Sequence, residues 1–525
     1  NKMVNKKLKI WLPLIFSIVL IIGMFLGYIL KGGNAKGFFS VEKPTPYEEA
    51  LQIIKMKYVD SVNIDSLKGK SIEAIMDELD PHSVYLPPVE LKIANDDLEG
   101  KFEGIGVEFN LYNDTVQVVY VIPGGPGEKA GMMAGDIVLK ANDSIISGKK
   151  QDATGIKEAI RGKSGSVVQL QLLRAGKPIT LSITRGAIAI PSVDAYFMLD
   201  SSAAYLKLSK FTETSYEEFM YAMEALKKKG MQQLVLDLRH NGGGLMDEAV
   251  DIADEFLDGE KLIVYTQGVN SKKREYKCKR PGILEKGKLT VLVDELTASA
   301  SEVLCGALQD WCRATIIGQR SFGKGLVMEQ FPLSDGSAIR LTTARYYTPI
   351  GRCIQRSYEN GKKVYMDEIW QRYASGEMSF TGNHLMAHGK PFLTVCKDTV
   401  YESEGIVPNV FVPVDTNLNN EEINKLLYGS SLSQFAFQYY LKHQQEIMKY
   451  STVKELLSKT DAGSLFQQFN ALIKPTKPVT ENIKNRIIQQ IFALLARYKW
   501  GNAGYTEALI INDKEVNESL AMMNK

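Results

Sequence analysis

The length and charge of the chain limit the classes of protein to which it can belong. With 525 residues, of which 45% are hydrophobic, the chain can form several folded units, because single cores rarely grow beyond about 250–300 residues. Its 63 basic residues nearly balance 61 acidic ones, which gives a formal net charge of +2. We therefore do not expect a nucleic-acid partner.

The N-terminal stretch combines positive charge with an uncharged segment. Four lysines come first: Lys2, Lys6, Lys7 and Lys9. The uncharged residues from Ile10 to Leu30 are numerous enough to cross a bilayer at about 1.5 Å per residue. Lysines before the segment predict an N-terminus inside and the remainder outside. A cleaved signal peptide is the alternative, although its apolar region is normally shorter. We expect residues 1–31 to be a cytoplasmic stub and a single-pass transmembrane anchor.

A small helical unit is predicted for residues 44–96, after a linker rich in Gly, Pro and Lys. Apolar residues recur at helical spacing over residues 47–79. The pattern ends at Leu79-Asp80-Pro81-His82-Ser83, where Pro81 disfavours helix for the residue before it.

Short β-rich runs with glycine turns occupy residues 102–185, with helix-like stretches at 126–130 and 153–160. Within this region come the loop Gly104-Ile105-Gly106-Val107, then a Pro-Gly-Glu-Lys-Ala-Gly run from Pro126, then Gly-Asp-Ile from Gly135. In this order the motifs resemble a PDZ domain, placed at residues 97–186. The resemblance implies that Gly104, Ile105, Gly106 and Val107 hold a peptide carboxylate through free amides, while the adjacent strand edge pairs with the peptide. A glycine turn in an ordinary β-domain is the alternative.

A strand, helix, strand rhythm follows and predicts an α/β core at residues 190–418. Apolar strands are expected at 205–208, 234–238, 289–293, 315–317 and 338–342, with helices at 216–228 and 301–307. Nearly continuous apolar strands favour a largely parallel sheet covered by helices. Residues 419–525 are again helix-like, and we expect them to dock on the core, to form a homo-oligomer or to bind an adaptor.

Three segments of the core carry residues suited to acyl transfer. The run Thr297-Ala-Ser299-Ala300-Ser-Glu302 lies between a strand and a helix, where free amides favour an oxyanion; a simple N-cap is the alternative. Lys324 stands between two glycines in a largely apolar segment, where burial lowers a lysine pKa; a surface turn is the alternative. Successive glycines, including Gly243, follow a strand and let backbone amides approach a reacting carbonyl; a tight connection is the alternative.

Taken together, these segments resemble the carboxyl-terminal processing protease family over residues 47–414. The resemblance implies Ser299 as nucleophile, with Thr297 in place of the first serine of the motif, and Lys324, 25 positions downstream, as general base. It also implies an oxyanion hole from Gly243 and Ala300, and it adds Asp310 to the catalytic set as support for the site. No metal or cofactor is required.

One position departs from the family pattern. Where members have a glutamine that orients the lysine, this chain has Met328, and a thioether is only a weak acceptor. Gln330 lies two residues further along the same strand face, so a bulge or shifted register would restore the contact.

The predicted function is membrane-anchored serine endopeptidase activity near protein C-termini, in the bacterial inner membrane with the bulk of the chain periplasmic. The expected partners are protein substrates with free C-termini and the membrane. A catalytically weak or inactive PDZ scaffold that binds C-termini is the alternative, and Met328 favours it.

Histidines and cysteines provide less convincing sites. His240 in the glycine-rich loop keeps a Ser/His arrangement open, while His384 and His388 have metal-ligand spacing but lack a zincin context. The cysteines are Cys278, Cys305, Cys312, Cys353 and Cys396. No CxxC pair occurs, and we interpret all five as structural or incidental.

Overall fold

The computed structural model describes residues 2–30, 45–62, 72–148, 152–379, 389–414, 421–475 and 479–524. The helices of the N-terminal half are α1 (Lys2–Leu30), α2 (Pro46–Lys57), α3 (Ile72–Asp77), α4 (Pro88–Leu98), α5 (Pro126–Lys129), α6 (Ala153–Ile160), α7 (Ser215–Lys228) and α8 (Met246–Asp254). Those of the C-terminal half are α9 (Ala300–Asp310), α10 (Lys362–Ala374), α11 (Glu421–Tyr428), α12 (Ser430–Ile447), α13 (Val453–Lys459), α14 (Ala462–Ile473), α15 (Glu481–Leu509) and α16 (Lys514–Met523).

The strands are given in chain order, in two groups. The first group is β1 (Val84–Leu86), β2 (Lys101–Gly104), β3 (Val107–Tyr112), β4 (Thr115–Val121), β5 (Ile137–Ala141), β6 (Ser144–Ile145), β7 (Val167–Arg174), β8 (Lys177–Thr184), β9 (Gly186–Ala189), β10 (Val193–Met198) and β11 (Ala203–Leu208). The second is β12 (Gln233–Asp237), β13 (Leu262–Gln267), β14 (Arg274–Lys277), β15 (Leu289–Val293), β16 (Thr315–Gly318), β17 (Leu326–Pro332), β18 (Ala338–Tyr347), β19 (Pro391–Leu393), β20 (Thr399–Tyr401) and β21 (Val410–Phe411).

The uncharged N-terminal stretch lies in α1, a helix with Pro13 inside it. Across the described residues, no helix is both long enough and apolar enough to span a membrane.

The N-terminal unit packs against the α/β core. α2 begins with a capping box, in which the Thr45 hydroxyl accepts from the Glu48 amide and Glu48 accepts from the Thr45 amide. The buried face of α2 and α3 meets Ile339 and Leu341 of β18. The strand β1 of this N-terminal unit pairs antiparallel with β18. The unit that was expected to be helical therefore also adds a strand to the core. At three residues, β1 is too short to show periodicity in the sequence.

The predicted α/β core is confirmed. Its main sheet has the order β10-β11-β12-β15-β16-β21, with every neighbouring pair parallel except β10 and β11. β15 is buried along its whole length, as expected for a strand covered on both faces. Helices α7, α8 and α9 contribute to the larger core and α16 to the smaller one.

The strand predicted at residues 338–342 is confirmed as part of β18, but the sheet expected for it was wrong. Residues 338–342 were expected to extend the parallel sheet, whereas β18 lies in a second sheet with β1, β13, β14 and β17, in which the pairs are antiparallel. Pairing partners depend on contacts far along the chain, which an apolar run does not specify.

The PDZ region forms the predicted small β-domain. Its antiparallel sheet has the order β3-β4-β5-β7-β8, with β6 on β5, and β2 pairs with β9. Alternate residues of β7 are buried with α6 in its core, the pattern of a strand with one solvated face.

The C-terminal helices α11 to α15 share one apolar core, which also includes Tyr112 and Val119 from the small β-domain. Inside α15, Gly501 departs from helical geometry at φ +63° and marks a kink.

Cys312 and Cys396 form a disulfide across 84 residues of sequence, which gives a structural role to two of the five cysteines. The segment between β19 and β20 returns to the end of α9, where the Val395 amide donates to the Asp310 carbonyl. The pairing therefore depends on the fold and not on the spacing of the cysteines. Cys278, Cys305 and Cys353 are free.

Candidate active site

Ser299 lies between β15 and α9, at the position that precedes the first residue of the helix. Its φ of +57° is in the left-handed region that side chains rarely adopt. Such strain commonly concentrates where the surrounding structure fixes a functional residue. Every residue of α9 is buried, and within the described residues the Ala300 amide at its start has no acceptor. This amide is therefore available to a developing negative charge beside Ser299.

Glu302 connects the two predicted catalytic residues. One oxygen of its carboxylate, Oε2, accepts from the Ser299 amide at 2.8 Å and from the Lys324 amide at 2.8 Å. The other oxygen accepts from the Ser321 hydroxyl at 2.5 Å and from the Gly323 amide at 2.7 Å. The side chain is fully buried, and this burial raises its pKa. One carboxylate thus fixes the backbone on both sides of the site.

Tyr346 supplies a second connection. Its hydroxyl lies 3.2 Å from the Ser299 carbonyl oxygen and 2.9 Å from that of Lys324. Because the hydroxyl has a single proton, it donates to one carbonyl at a time. Neither Glu302 nor Tyr346 was predicted as a site residue from the sequence. Glu302 is the last residue of the serine motif at 297–302 and so had a signal in the sequence, whereas Tyr346 had none.

The Lys324 amine lies in a setting that favours its neutral form. Burial lowers its pKa to about 8, and the positive charge of Arg340 acts in the same direction. Glu302 and Asp80 oppose this effect. Among the described residues, no hydrogen bond joins Lys324 Nζ to Ser299 Oγ. Catalytic contacts are often loose without substrate and shorten in the substrate complex.

Gln330 does not replace the missing glutamine. The register of β17 on β18 shifts between Val327 and Met328. The Gln330 side chain nevertheless donates to Asn95 at 3.2 Å and accepts from Arg340 at 3.2 Å. It is therefore bonded to α4 and β18, and not to Lys324.

The loop from Asp80 to Ser83 lies beside the lysine. Asp80 accepts from the amides of His82 and Ser83, and the Ser83 hydroxyl accepts from the Thr342 amide of β18. Burial lowers the pKa of His82 to about 3, and the charge of Lys324 is the next contribution. His82 is therefore neutral, and its Nε2 lies 3.0 Å from the Tyr365 hydroxyl.

The glycine-rich loop approaches Ser299 closely. A Cβ on Gly243 would lie 2.8 Å from the Ser299 Cβ and 2.9 Å from the Ala300 nitrogen, and its φ is +95°. Only glycine fits this position. The Gly243 amide donates to Asn241 Oδ1 at 2.9 Å, so an oxyanion would share this amide with Asn241 or displace it.

His240 of the same loop has another partner. Its Nδ1 lies 2.9 Å from Asp294 Oδ2, and this hydrogen bond raises its pKa. The structure places no hydrogen bond between His240 and Ser299 in the part of the chain that it describes. His384 and His388, the two histidines with metal-ligand spacing, lie outside the described residues.

Asp310 is separated from Ser299 by the whole of α9, which has 11 residues and a rise of about 1.5 Å for each. It forms a fully buried ion pair with Arg352 at 2.9 Å. This position favours a structural contribution of Asp310 and not direct chemistry.

In the PDZ domain, the predicted peptide loop joins β2 to β3. The Ile105 carbonyl accepts from the Gly127 amide at 2.6 Å, and the Gly106 carbonyl accepts from the Ile122 amide at 3.0 Å. The amides of Ile105 and Gly106 have no acceptor among the described residues. The loop thus keeps backbone donors available for an anion.

Comparison with known proteins identifies the family. The profile of Peptidase family S41 matches residues 202–361, and that of the PDZ domain matches residues 104–184. The carboxy-terminal-processing protease of Bartonella bacilliformis is 31% identical over 391 residues, which cover 73% of this chain and 88% of that protein. The chain belongs to the carboxy-terminal processing protease family. It is accordingly a serine peptidase with a PDZ domain.

Two further proteins named as C-terminal processing proteases are also similar to this chain. The carboxy-terminal processing protease CtpA of Bacillus subtilis is 34% identical over 311 residues, covering 59% of this chain and 66% of that protein. Among solved structures, the photosystem II D1 C-terminal processing protease is 26% identical, with coverage of 73% of this chain and 96% of that chain and a TM-score of 0.39.

Proposed function

We propose that this processing protease cleaves proteins near their C-termini through a dyad of Ser299 and Lys324. The observation that carries the proposal is the Glu302 carboxylate, because a single oxygen accepts from the amides of both residues. The lowered pKa of Lys324, about 8, supports a base that is partly neutral near physiological pH.

The proposed reaction is acyl transfer. Neutral Lys324 takes the Ser299 hydroxyl proton as the oxygen attacks the scissile carbonyl carbon. The amides of Ala300 and Gly243 stabilise the oxyanion, and the Gly243 amide is then shared with or released from Asn241. When the tetrahedral intermediate collapses, Lys324 returns the proton to the leaving amine. Water then hydrolyses the acyl-enzyme, with Lys324 again as base.

We further propose that the PDZ domain recognises the substrate tail. The free amides of Ile105 and Gly106 support carboxylate binding, and the outer edge of β3 supports pairing with an extended peptide.

The site of action is proposed to be extracytoplasmic. The support is the order of lysines before an uncharged stretch. Fractionation of cells that express the full chain tests this directly. Recovery with membranes and digestion by external protease support the proposal, and recovery in the cytosol refutes it.

The catalytic proposal is tested with the purified full chain and an unfolded protein that has an apolar C-terminal tail. We expect the unmodified enzyme to cut it, and both Ser299→Ala and Lys324→Met to abolish cleavage while the tail still binds. The matched control is Lys227→Met, an exposed lysine of α7, which should retain full activity.

The same assay addresses the scaffold alternative, which the presence of Met328 favours. Tail binding by the unmodified chain without any cleavage would support a scaffold. Cleavage that survives Lys324→Met would instead refute the dyad and return attention to His240.

A further inference from the structure

A cluster of charges joins the C-terminal helix α16 to the glycine-rich loop. Arg239, at the start of this loop, donates through Nε and Nη2 to Asp237 at the end of β12. Its remaining nitrogen, Nη1, donates to Asp513 at 2.8 Å and lies 3.5 Å from Glu515. The Arg239 side chain is only 15% exposed. The guanidinium therefore bridges a core strand and the beginning of α16.

Negative charge from the helix balances an excess of positive charge at this point. Lys207 lies 3.8 Å from the same Asp237 carboxylate and donates to the Arg239 carbonyl. Without α16, two cations would share one buried carboxylate. An uncompensated buried charge is costly, so Asp513 and Glu515 make this arrangement of Arg239 favourable.

The helix itself is fixed on the main sheet. Val516 and Met523 pack in one core with Tyr205, Val235 and Leu292. At its far end, the Lys288 amine donates to the Met523 carbonyl at 2.8 Å. Gln319, just after β16, donates to Glu515 at 3.3 Å. The position of the Asp513 carboxylate is thus set by the core and not by a loose terminus.

The loop that Arg239 begins leads directly to the nucleophile. The His240 amide donates to Asp294, and the Asn241 side chain donates to the Leu208 carbonyl at 2.9 Å. The Asn241 carbonyl accepts from the Ala298 amide next to Ser299. Gly243 then lies so near Ser299 and Ala300 that no room remains for a Cβ on it. The core fixes one side of the loop, and α16 fixes the other through Arg239.

We propose that Asp513, assisted by Glu515, is a positioning residue for the oxyanion loop. The inference rests on the proposed roles of Gly243 and Ala300. It assigns a part in catalysis to a helix that lies outside the residues matched by the two family profiles. Asp513 does not touch the substrate. It acts on the reacting carbonyl through Arg239 and the glycine-rich loop.

The decisive variant is Asp513→Asn. Asp513 also caps α16 by accepting from the Val516 amide, and asparagine caps a helix as well as aspartate does. The change therefore removes the charge opposite Arg239 and keeps the cap. The matched control is Glu518→Gln, an exposed acidic residue of the same helix.

We expect Asp513→Asn to lower kcat about tenfold, less than the hundredfold typical of losing an oxyanion donor outright. KM and the affinity for a tail peptide should not change. A peptide boronate, whose adduct with Ser299 places an oxygen in the hole, should lose affinity by the same factor. Glu518→Gln should leave every one of these quantities unchanged.

Two results would overturn the inference. One is an unchanged kcat and boronate affinity in Asp513→Asn. The other is a kcat that returns to the unmodified value once it is divided by the fraction of molecules that the boronate titrates. The variant would then be partly unfolded, with a normal site in the folded molecules. Failure of the proposed function looks different, because then the unmodified chain itself does not cleave or Ser299→Ala remains active.

Discussion

The catalytic core and the junction between the PDZ domain and the C-terminal helices are held together by different kinds of contact. In the core, the fully buried carboxylate of Glu302 accepts four hydrogen bonds. At the junction, Glu108 of β3 and Arg497 of α15 form an ion pair at 2.8 Å with side chains that are 37% and 33% exposed. Buried charge-assisted bonds fix geometry, whereas exposed ion pairs contribute little. The backbone at Ser299 and Lys324 is therefore rigidly placed, whereas this ion pair adds little to the apolar contacts that hold the PDZ domain on the C-terminal helices.

The largest effect is expected from Glu302→Gln. An amide replaces one acceptor oxygen with a donor, so at least one pair of buried donors loses its acceptor, at about 1–3 kcal/mol for each donor. We expect kcat to fall by about a hundredfold or more, since both catalytic residues lose their alignment. Kinetics and thermal unfolding measure the two effects. Glu224→Gln, an exposed residue of α7, is the control, and near-normal kcat in Glu302→Gln would contradict the rigid core.

A smaller effect concerns pH. Lys324 is a base only when neutral, so its pKa of about 8 predicts that kcat/KM rises with pH and reaches half its maximum near that value. Arg340 helps to lower this pKa. Arg340→Gln should therefore raise the pKa and move the profile to higher pH, while Arg274→Gln on β14 should not. A shift to lower pH would refute this electrostatic explanation.

A still smaller effect is expected at Gly501, which lies against the PDZ domain at the kink of α15. An added Cβ would meet the Tyr120 hydroxyl at 3.1 Å, in a backbone conformation with φ +63°. Gly501→Ala should destabilise the junction by about 1–2 kcal/mol, from left-handed strain and crowding. We expect hydrogen exchange at the junction to increase, with kcat for short substrates preserved. In the double variant with Tyr120→Phe, the crowding should be relieved and the backbone strain at residue 501 should remain. An unchanged exchange rate in Gly501→Ala alone would exclude a packed junction.

The smallest effect is expected for the exposed ion pair. Arg497→Gln should cost about 0–1 kcal/mol and lose its effect at high salt. Reversal of both charges, Glu108→Arg with Arg497→Glu, should recover the native unfolding temperature. Destabilisation comparable with that of Glu302→Gln would remove the contrast between the two regions.

Several features of this protein were determined by sequence over short distances. The apolar runs that became β12 and β15, and the amphipathic α7 between strands, were predicted because helix and strand periodicity is local. The ordered glycine motifs were sufficient for the PDZ domain, since each turn requires its own glycine. The prediction of Ser299 and Lys324 as the catalytic pair likewise came from their own segments and their spacing.

Only the tertiary structure decided which distant residues meet. Glu302 accepts from an amide 22 positions away, and Arg239 binds an aspartate 274 positions away. The disulfide of Cys312 with Cys396, the strand partners of β18 and the neighbours of Gln330 also depend on packing across the chain. Such contacts leave no periodic signal, because they depend on how whole sheets and helices are placed and not on the residues beside them.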